Sequence, residues 1–388
     1  MTAILRLAID RLAPTGEGVA RHAGQVVFVD GALPGETVEA EVFQEKKRYA
    51  RAAVVGVFEP SPDRRAADVH ASACGGTDWA HVAPDAARRW KRALFVETME
   101  RLGGAEPGVF GALPISSSPL EYRLRNQFHA GGGEVGFFAR RSHRVVPLDG
   151  CEIVSRETRD KIAALAAGRR LDGTLETLES VETGAAHRLV WRGAGRGFPS
   201  SEGALDVDVG GRAFRVSAGA FFQVNRFRLL PFYETVRDLA RDAGPASALD
   251  AYSGAGLLSH ALVEAGARVT AVEASPSSAA DAAFNRARLG AAGSIDLRPG
   301  AVEAYLRDGA APHDVVVADP PRGGLGPAAA PLAGLARRRL IYVSCEPASL
   351  ARDLAPLRVA GLSIARAQLE DFFPLTHRVE AIVVFDRS

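Results

Sequence analysis

The sequence Tyr342-Val343-Ser344-Cys345-Glu346-Pro347 sets a thiol just after an apolar run, Leu340 to Val343, that reads as a β-strand. A parallel strand delivers the residue at its carboxyl end to the sheet edge where open α/β folds bind ligands. Upstream, Val315-Val316-Val317-Ala318 runs into Asp319-Pro320-Pro321-Arg322; downstream, Glu380 opens another apolar run. A thiol, an acid on a Pro-Pro turn and a late carboxylate, each at a strand edge, suit covalent chemistry. Cys345 fits the part of nucleophile and Glu380 that of general base. A lone cysteine is more often a structural core residue. The motifs on either side favour function here.

A second motif supplies a cofactor site. Asp250-Ala251-Tyr252-Ser253-Gly254-Ala255-Gly256 is a strand-to-helix turn in which Gly254 and Gly256 let a ligand approach the backbone. Dinucleotide enzymes use such a turn too, but the third glycine of their fingerprint is Ser259 in this chain. Glu273, ending the next strand, is placed to accept hydrogen bonds from a ribose diol. No cluster of groups for a pyrophosphate accompanies the turn. An adenosyl ligand without phosphates fits better, and S-adenosylmethionine is the common one. The Asp319-Pro320-Pro321 turn is similar to that of amino-methyltransferases, which follow it with an aromatic ring. Arg322 stands there instead, which disfavours an exocyclic amine and, with Cys345, points to a ring carbon. C5 of a pyrimidine becomes nucleophilic only after a thiolate adds to C6, and a base must then remove the C5 proton.

These groups need elements to hold them. Residues 1–58 read as five short strands with glycine turns, a small β-barrel. Lys46, Lys47 and Arg48, followed by Tyr49, would put cations and an aromatic on one loop, suited to backbone phosphates and base stacking. Glu59-Pro60-Ser61-Pro62 reads as a linker. A helix over 86–102 ends at Gly103-Gly104, and it is expected to pack on the last domain. The rest of 59–218 reads as a mainly antiparallel central domain with a helix near 155–167. From 219 to 388 strands and helices alternate, which implies a doubly wound, Rossmann-like sheet closed by a terminal hairpin. The fold class is α/β with an N-terminal barrel.

The chain has 388 residues and net charge +1, so no global field marks it as a nucleic-acid binder. Basic residues still cluster, at Arg88, Arg89, Lys91 and Arg92, at Arg140, Arg141 and Arg144, and at Arg188, Arg192 and Arg196, where they can hold phosphates. Three scattered cysteines exclude a disulfide framework and fit a reducing cytoplasm. No apolar run of ~18 residues marks a membrane span. A cytoplasmic monomer is the default expectation.

Together these motifs resemble the RNA uracil-C5 methyltransferase family, which makes 5-methyluridine from S-adenosylmethionine. Gly16-Glu17-Gly18-Val19-Ala20-Arg21 and Val27 to Glu36 are similar to its TRAM domain. Tyr122-Arg123-Leu124-Arg125-Asn126 is similar to the opening of its central domain, and Gly219-Ala220-Phe221-Phe222-Gln223-Val224-Asn225 to a signature at the start of its catalytic domain. The resemblance implies that Gln223, Tyr252, Glu273 and Asp319 contact the cofactor, with Gly254 and Gly256 beside it. It also implies that Cys345 is the nucleophile and Glu380 the base, and that Arg123 and Arg125 face RNA. The barrel favours ribosomal RNA of the 23S type over tRNA.

Two departures bear on those expectations. TRAM-bearing members often hold a [4Fe–4S] cluster on four cysteines; here Asp68 and Thr77 occupy two of the positions beside Cys74 and Cys151. Two thiolates do not hold a cubane, so no cluster is expected, and His70 or His81 offers only a weak metal alternative. The family's terminal Thr-x-His-Val/Leu-Glu reads Thr376-His377-Arg378-Val379-Glu380, with the histidine moved by one place. Arg378 is then free to stabilise a uracil O4 enolate or bind a phosphate. Alternatives in other classes are a tRNA-directed enzyme, a non-catalytic RNA-binding or folding factor on the same scaffold, and a nucleotide-binding oxidoreductase.

Overall fold

The computed structural model describes residues 3–66, 73–111, 113–179, 189–197 and 203–387. Asp68, His70 and Arg188 lie outside them. The barrel is a six-stranded sheet, β1 (Ile4–Ala8), β2 (Arg11–Leu12), β3 (Gly18–His22), β4 (Gln25–Asp30), β5 (Thr37–Glu45) and β6 (Tyr49–Glu59), in the order β1-β5-β6-β4-β3-β2. The expected count of five is corrected to six, because β2 is a two-residue strand too short to show alternation. Leu7, Val27, Val29, Val38 and Ala52 fill its interior from alternate positions.

The helix Pro84–Arg101 starts with proline in its first turn, where the missing N–H costs nothing. Its Phe95 and Met99 are buried in one core with Leu350, Leu354 and Leu357 of the helix Pro347–Val359. At its end the chain lies so close to that second helix that a Cβ on Gly103 would meet Leu354 at 2.7 Å. The central segment contributes β7 (Arg125–Gly131), β8 (Glu134–Phe138), β9 (Val145–Pro147), β10 (Asp172–Glu179) and β11 (Leu189–Arg196) in an antiparallel sheet, and the hairpin β12 (Ala204–Asp208) and β13 (Ala213–Ser217). The helix Arg156–Ala166 covers it, capped by the Ser155 hydroxyl accepting from Thr158 N.

The last sheet contains β14 (Ser247–Ala251), β15 (Arg268–Glu273), β16 (Ile295–Pro299), β17 (His313–Ala318), β18 (Ala336–Ser344), β19 (Leu362–Glu370) and β20 (Glu380–Arg387), in the order β16-β15-β14-β17-β18-β20-β19. The five strands from β16 to β18 are parallel, and β20 and β19 close the edge antiparallel. Val315, Val316 and Val317 of β17 are wholly buried, as a central parallel strand covered on both faces requires. The order reverses between β14 and β17. Open α/β sheets bind their ligands beyond the carboxyl ends of the strands at such a point.

Candidate active site

Strand register brings the chemically interesting groups together. Ala251 of β14 pairs with Ala318 of β17, and Ala318 with Tyr342 of β18, so Tyr252 and Asp319 leave the sheet at one edge. On the other side of β18, Ser344 pairs with Ala381 of β20. The next residues outward are Cys345 and Glu380, which therefore stand side by side at the same edge. Gln223 joins them from outside the sheet by donating from Nε2 to Asp319 Oδ2 at 2.9 Å.

The glycine turn is built for close approach. Gly254 and Gly256 both have positive φ, 55° and 88°, and a Cβ on Gly254 would meet nothing within 4 Å. Tyr252 shares the left-handed conformation at φ 68° despite its bulky side chain, a strain of about 1–3 kcal/mol that clusters at ligand sites. Glu273 Oε2 accepts from Gly254 N at 2.7 Å and its Oε1 from Ser275 N at 2.6 Å. Those two bonds fix the carboxylate plane and leave each oxygen a further lone pair.

Carboxyl groups crowd this edge. Asp250 is buried, and desolvation followed by the charges of Asp319 and Glu273 pushes it up to about 7, against a hydrogen bond from Ser259 Oγ at 2.5 Å. Sequence reasoning gave Asp250 no role; its signal is an acid at an inward place in the apolar run Ala248 to Ala251. Ser259, noted only as a missing glycine, is its buried partner. Burial likewise lifts Asp319 to about 7. Glu380 is raised well above the usual carboxylate range by burial, then by Asp319 and Glu370, and its Oε1 has no hydrogen-bond partner among the described residues. Glu370 pairs with Glu380 in the ladder, and Arg228 holds it at 2.6 Å. Cys345 is half-buried, and desolvation, Glu380 and Asp319 push its thiol up to about 12 while Arg322 opposes them.

The segment between β19 and β20, which delivers Glu380, is held from the central segment. Lys91 Nζ, fully buried, binds Asp371 Oδ1 at 2.6 Å and the Phe373 carbonyl at 3.0 Å. Lys91 therefore leaves the basic cluster in which the sequence placed it. Burial in a helix face had overridden its surface-type identity. Tyr122 donates its hydroxyl to the Pro374 carbonyl at 3.3 Å, and Asn225 Nδ2 donates to the Phe372 carbonyl at 3.1 Å.

Of the residues expected to face RNA, Lys46, Lys47 and Arg48 are exposed together at the tip joining β5 to β6. Arg123 lines a cleft of about 570 Å³ between barrel and central segment, with Arg51, Arg140, Arg141, Phe43 and Phe138. Arg125 is not on that lining; it sits half-buried where Glu176 and Arg192 are its charged neighbours. Cys74 and Cys151 are wholly buried in one apolar core with Phe137 and Ile153, and burial raises both thiols. A Cβ on Gly76 would touch Ile153, Cys74 Sγ and Phe137 at 3.4 to 3.5 Å, so packed side chains surround the thiol. This donor set does not fit a four-thiolate cluster. Among the described residues no group of three or more His, Cys, Asp or Glu is arranged to hold a metal, and no helix is long and apolar enough to cross a membrane.

The fold and the glycine turn define a class: an S-adenosylmethionine-dependent methyltransferase carrying an N-terminal barrel. Residues 3–55 match the TRAM domain, and residues 309–388 match the family described as tRNA (Uracil-5-)-methyltransferase. The chain is 34% identical to an uncharacterized RNA methyltransferase of Bdellovibrio bacteriovorus, over 97% of this chain and 94% of that one. It is 30% identical to the 23S rRNA (uracil(1939)-C(5))-methyltransferase RlmD of a Shewanella species, over 98% and 95% of the two chains. The crystal structure of the Pyrococcus abyssi tRNA (uracil-54, C5)-methyltransferase in complex with S-adenosyl-L-homocysteine shares the fold, with a TM-score of 0.77 over 98% of this chain and 100% of that one, at 19% identity. The chain belongs to the RNA uracil-C5 methyltransferase family.

Proposed function

We propose that this enzyme methylates C5 of a uracil in RNA by way of a covalent Cys345 adduct. The observation that carries the reading is the register of β18 and β20, whose last pair, Ser344 with Ala381, puts Cys345 and Glu380 next to each other at the carboxyl edge of the parallel strands. The Cys345 thiolate adds to C6, and the electron pair of the C5–C6 bond becomes an enolate. S-adenosylmethionine supplies the methyl group to C5 and leaves as S-adenosylhomocysteine. Glu380 then takes the C5 proton, the double bond re-forms, and the Cys345–C6 bond breaks to free the enzyme. A carboxyl with a raised pKa accepts that proton readily once it is ionised. The target base has to leave its stack to reach Cys345.

Gln223, Tyr252, Gly254, Gly256, Glu273 and Asp319 would hold the cofactor, with Glu273 toward the ribose. Lys46, Lys47, Arg48, Arg123 and Arg125 would contact RNA. The working division is a barrel over 1–58, a central domain over 59–218 and a catalytic domain over 219–388, acting as a cytoplasmic monomer. The Shewanella relative's name supports 23S rRNA as substrate; the name of the family matched by residues 309–388 supports tRNA as the second reading, and the barrel does not separate them, since the Pyrococcus tRNA enzyme shares the fold over 98% of this chain. Incubation with unmodified 23S rRNA and, separately, bulk unmodified tRNA distinguishes them. The reading expects 5-methyluridine in the rRNA alone, and product in tRNA alone would move the substrate to the second reading. Replacing Cys345 by alanine should abolish methylation by about 10³-fold or more while RNA binding persists.

A further inference from the structure

The barrel touches the catalytic segment at Gly16. Gly16, in the turn between β2 and β3, has φ 83°, and a Cβ there would lie 2.5 Å from His377 Cβ and 2.8 Å from Trp79 Nε1. Trp79 Nε1 donates to the Gly16 carbonyl at 2.9 Å, while Trp79 N donates to the Leu375 carbonyl at 2.9 Å. The imidazole of His377 is hydrogen-bonded through Nδ1 to Asp78 Oδ2 and meets the Trp79 ring edge-on, with centroids 6.5 Å apart. Arg140 ties the same corner to the barrel, from Nη1 to Asp30 Oδ1 at 2.9 Å and from Nη2 to the Thr77 carbonyl at 2.8 Å. Barrel, central segment and catalytic segment therefore meet at His377, with backbone pressed against side chain.

The next residues of that segment face the chemistry. Arg378 is half-buried, and Arg322, Asp78, Glu346 and Cys345 are its charged or titratable neighbours. Two residues further on is Glu380, beside Cys345. The histidine stands one place earlier than in the family pattern and Arg378 takes its position, which gives each a distinct surrounding: His377 meets the domain junction, and Arg378 has Cys345 among its titratable neighbours. Leu375, at φ 63°, supplies the bend that lets the chain do this.

We propose that His377 is a positioning residue through which the docked barrel and the Asp78 turn set Arg378 and Glu380 against Cys345. Barrel docking then governs the proton-removal step as well as RNA capture. The inference rests on the assignment of Glu380 as base. Aligned groups that shift by about 1 Å lose rate by about 10²-fold, while binding of the remote RNA changes little.

The test uses Gly16→Ala and Asp78→Ala in the full chain, with Asp78→Asn as the conservative variant. Each is assayed on unmodified RNA for kcat, for KM, for melting temperature and for an SDS-stable protein–RNA adduct. Expected are a kcat lowered about 10²-fold and a KM for RNA within about threefold of the parent. The adduct should accumulate, because elimination waits on the C5 proton, and Asp78→Asn should recover part of the rate. A raised KM at unchanged kcat, or a lowered kcat with no accumulated adduct, would overturn the proposal. If Gly16→Ala does not fold, the Asp78 pair decides alone. Failure of the parent enzyme to methylate would instead count against the assignment of Glu380 and Cys345.

Discussion

The Cys345 thiol resists ionisation in the free protein. Its pKa stands at about 12 because burial and the carboxyls of Glu380 and Asp319 all disfavour the thiolate, and Arg322 only partly offsets them. Alkylation by iodoacetamide, followed by mass spectrometry, should therefore speed up about tenfold per pH unit through pH 10, since only the thiolate reacts. Glu380→Gln, which removes the negative charge that Glu380 carries once ionised, should accelerate it at the alkaline end of that range. A plateau by pH 8.5 would mean that the thiol is already activated. The other two thiols are wholly buried, so the signal belongs to Cys345. Asp319 gives a second test. Its carboxyl at about 7 becomes charged as pH rises through neutrality, which favours the sulfonium of S-adenosylmethionine over neutral-sulfur S-adenosylhomocysteine. Calorimetry should find the affinity ratio turning toward S-adenosylmethionine from about pH 6 to pH 8. A ratio flat in pH would place the sulfonium elsewhere. At this scale Cys345, Glu380 and Asp319 were legible because each ends or begins an apolar run. Asp250 was not, because only the fold reveals that its strand is covered on both sides.

Among the elements, the helix Pro84–Arg101 holds the segment between β19 and β20 through Lys91. Replacing Lys91 by methionine leaves Asp371 buried and unpaired, a cost of about 3–5 kcal/mol. Chemical denaturation should show that loss, and Asp371→Asn added to the same chain should restore much of it; equal losses in single and double variants would deny the pairing. The helix itself was readable from periodicity and the Gly103-Gly104 stop. Lys91 was not, since beside Arg88, Arg89 and Arg92 it looks like one more surface cation. The alternation of strand and helix gave the Rossmann-like domain, yet β16 escaped notice. Ile295-Asp296-Leu297-Arg298-Pro299 is a short edge strand with charged side chains at alternate places, as edge strands commonly are.

In the whole molecule, a net charge of +1 conceals where the cations lie. Arg51, Arg123, Arg140 and Arg141 converge with Phe43 and Phe138 on one cleft, from separate stretches of chain. Arg51 is held there by Glu17 at 2.6 Å and Arg140 by Asp30 at 2.9 Å. Charge reversal at Arg51 and Arg141 should weaken RNA binding and lower the slope of log affinity against log salt by about one per lost phosphate contact. An unchanged slope in filter binding would remove this cleft from the RNA path. No pattern in the sequence announces such a convergence. Contacts such as Lys91 with Asp371, or Asp78 with His377, join residues far apart in the chain, so only packing brings them together.

The most direct test of covalent C5 methylation is transfer from labelled S-adenosylmethionine to unmodified RNA, with the nucleoside product identified by mass spectrometry for the parent and for Cys345→Ala. Covalent catalysis by Cys345 predicts labelled 5-methyluridine from the parent and none from the variant, although the variant still binds RNA. Label in another nucleoside, or undiminished 5-methyluridine from Cys345→Ala, would contradict it.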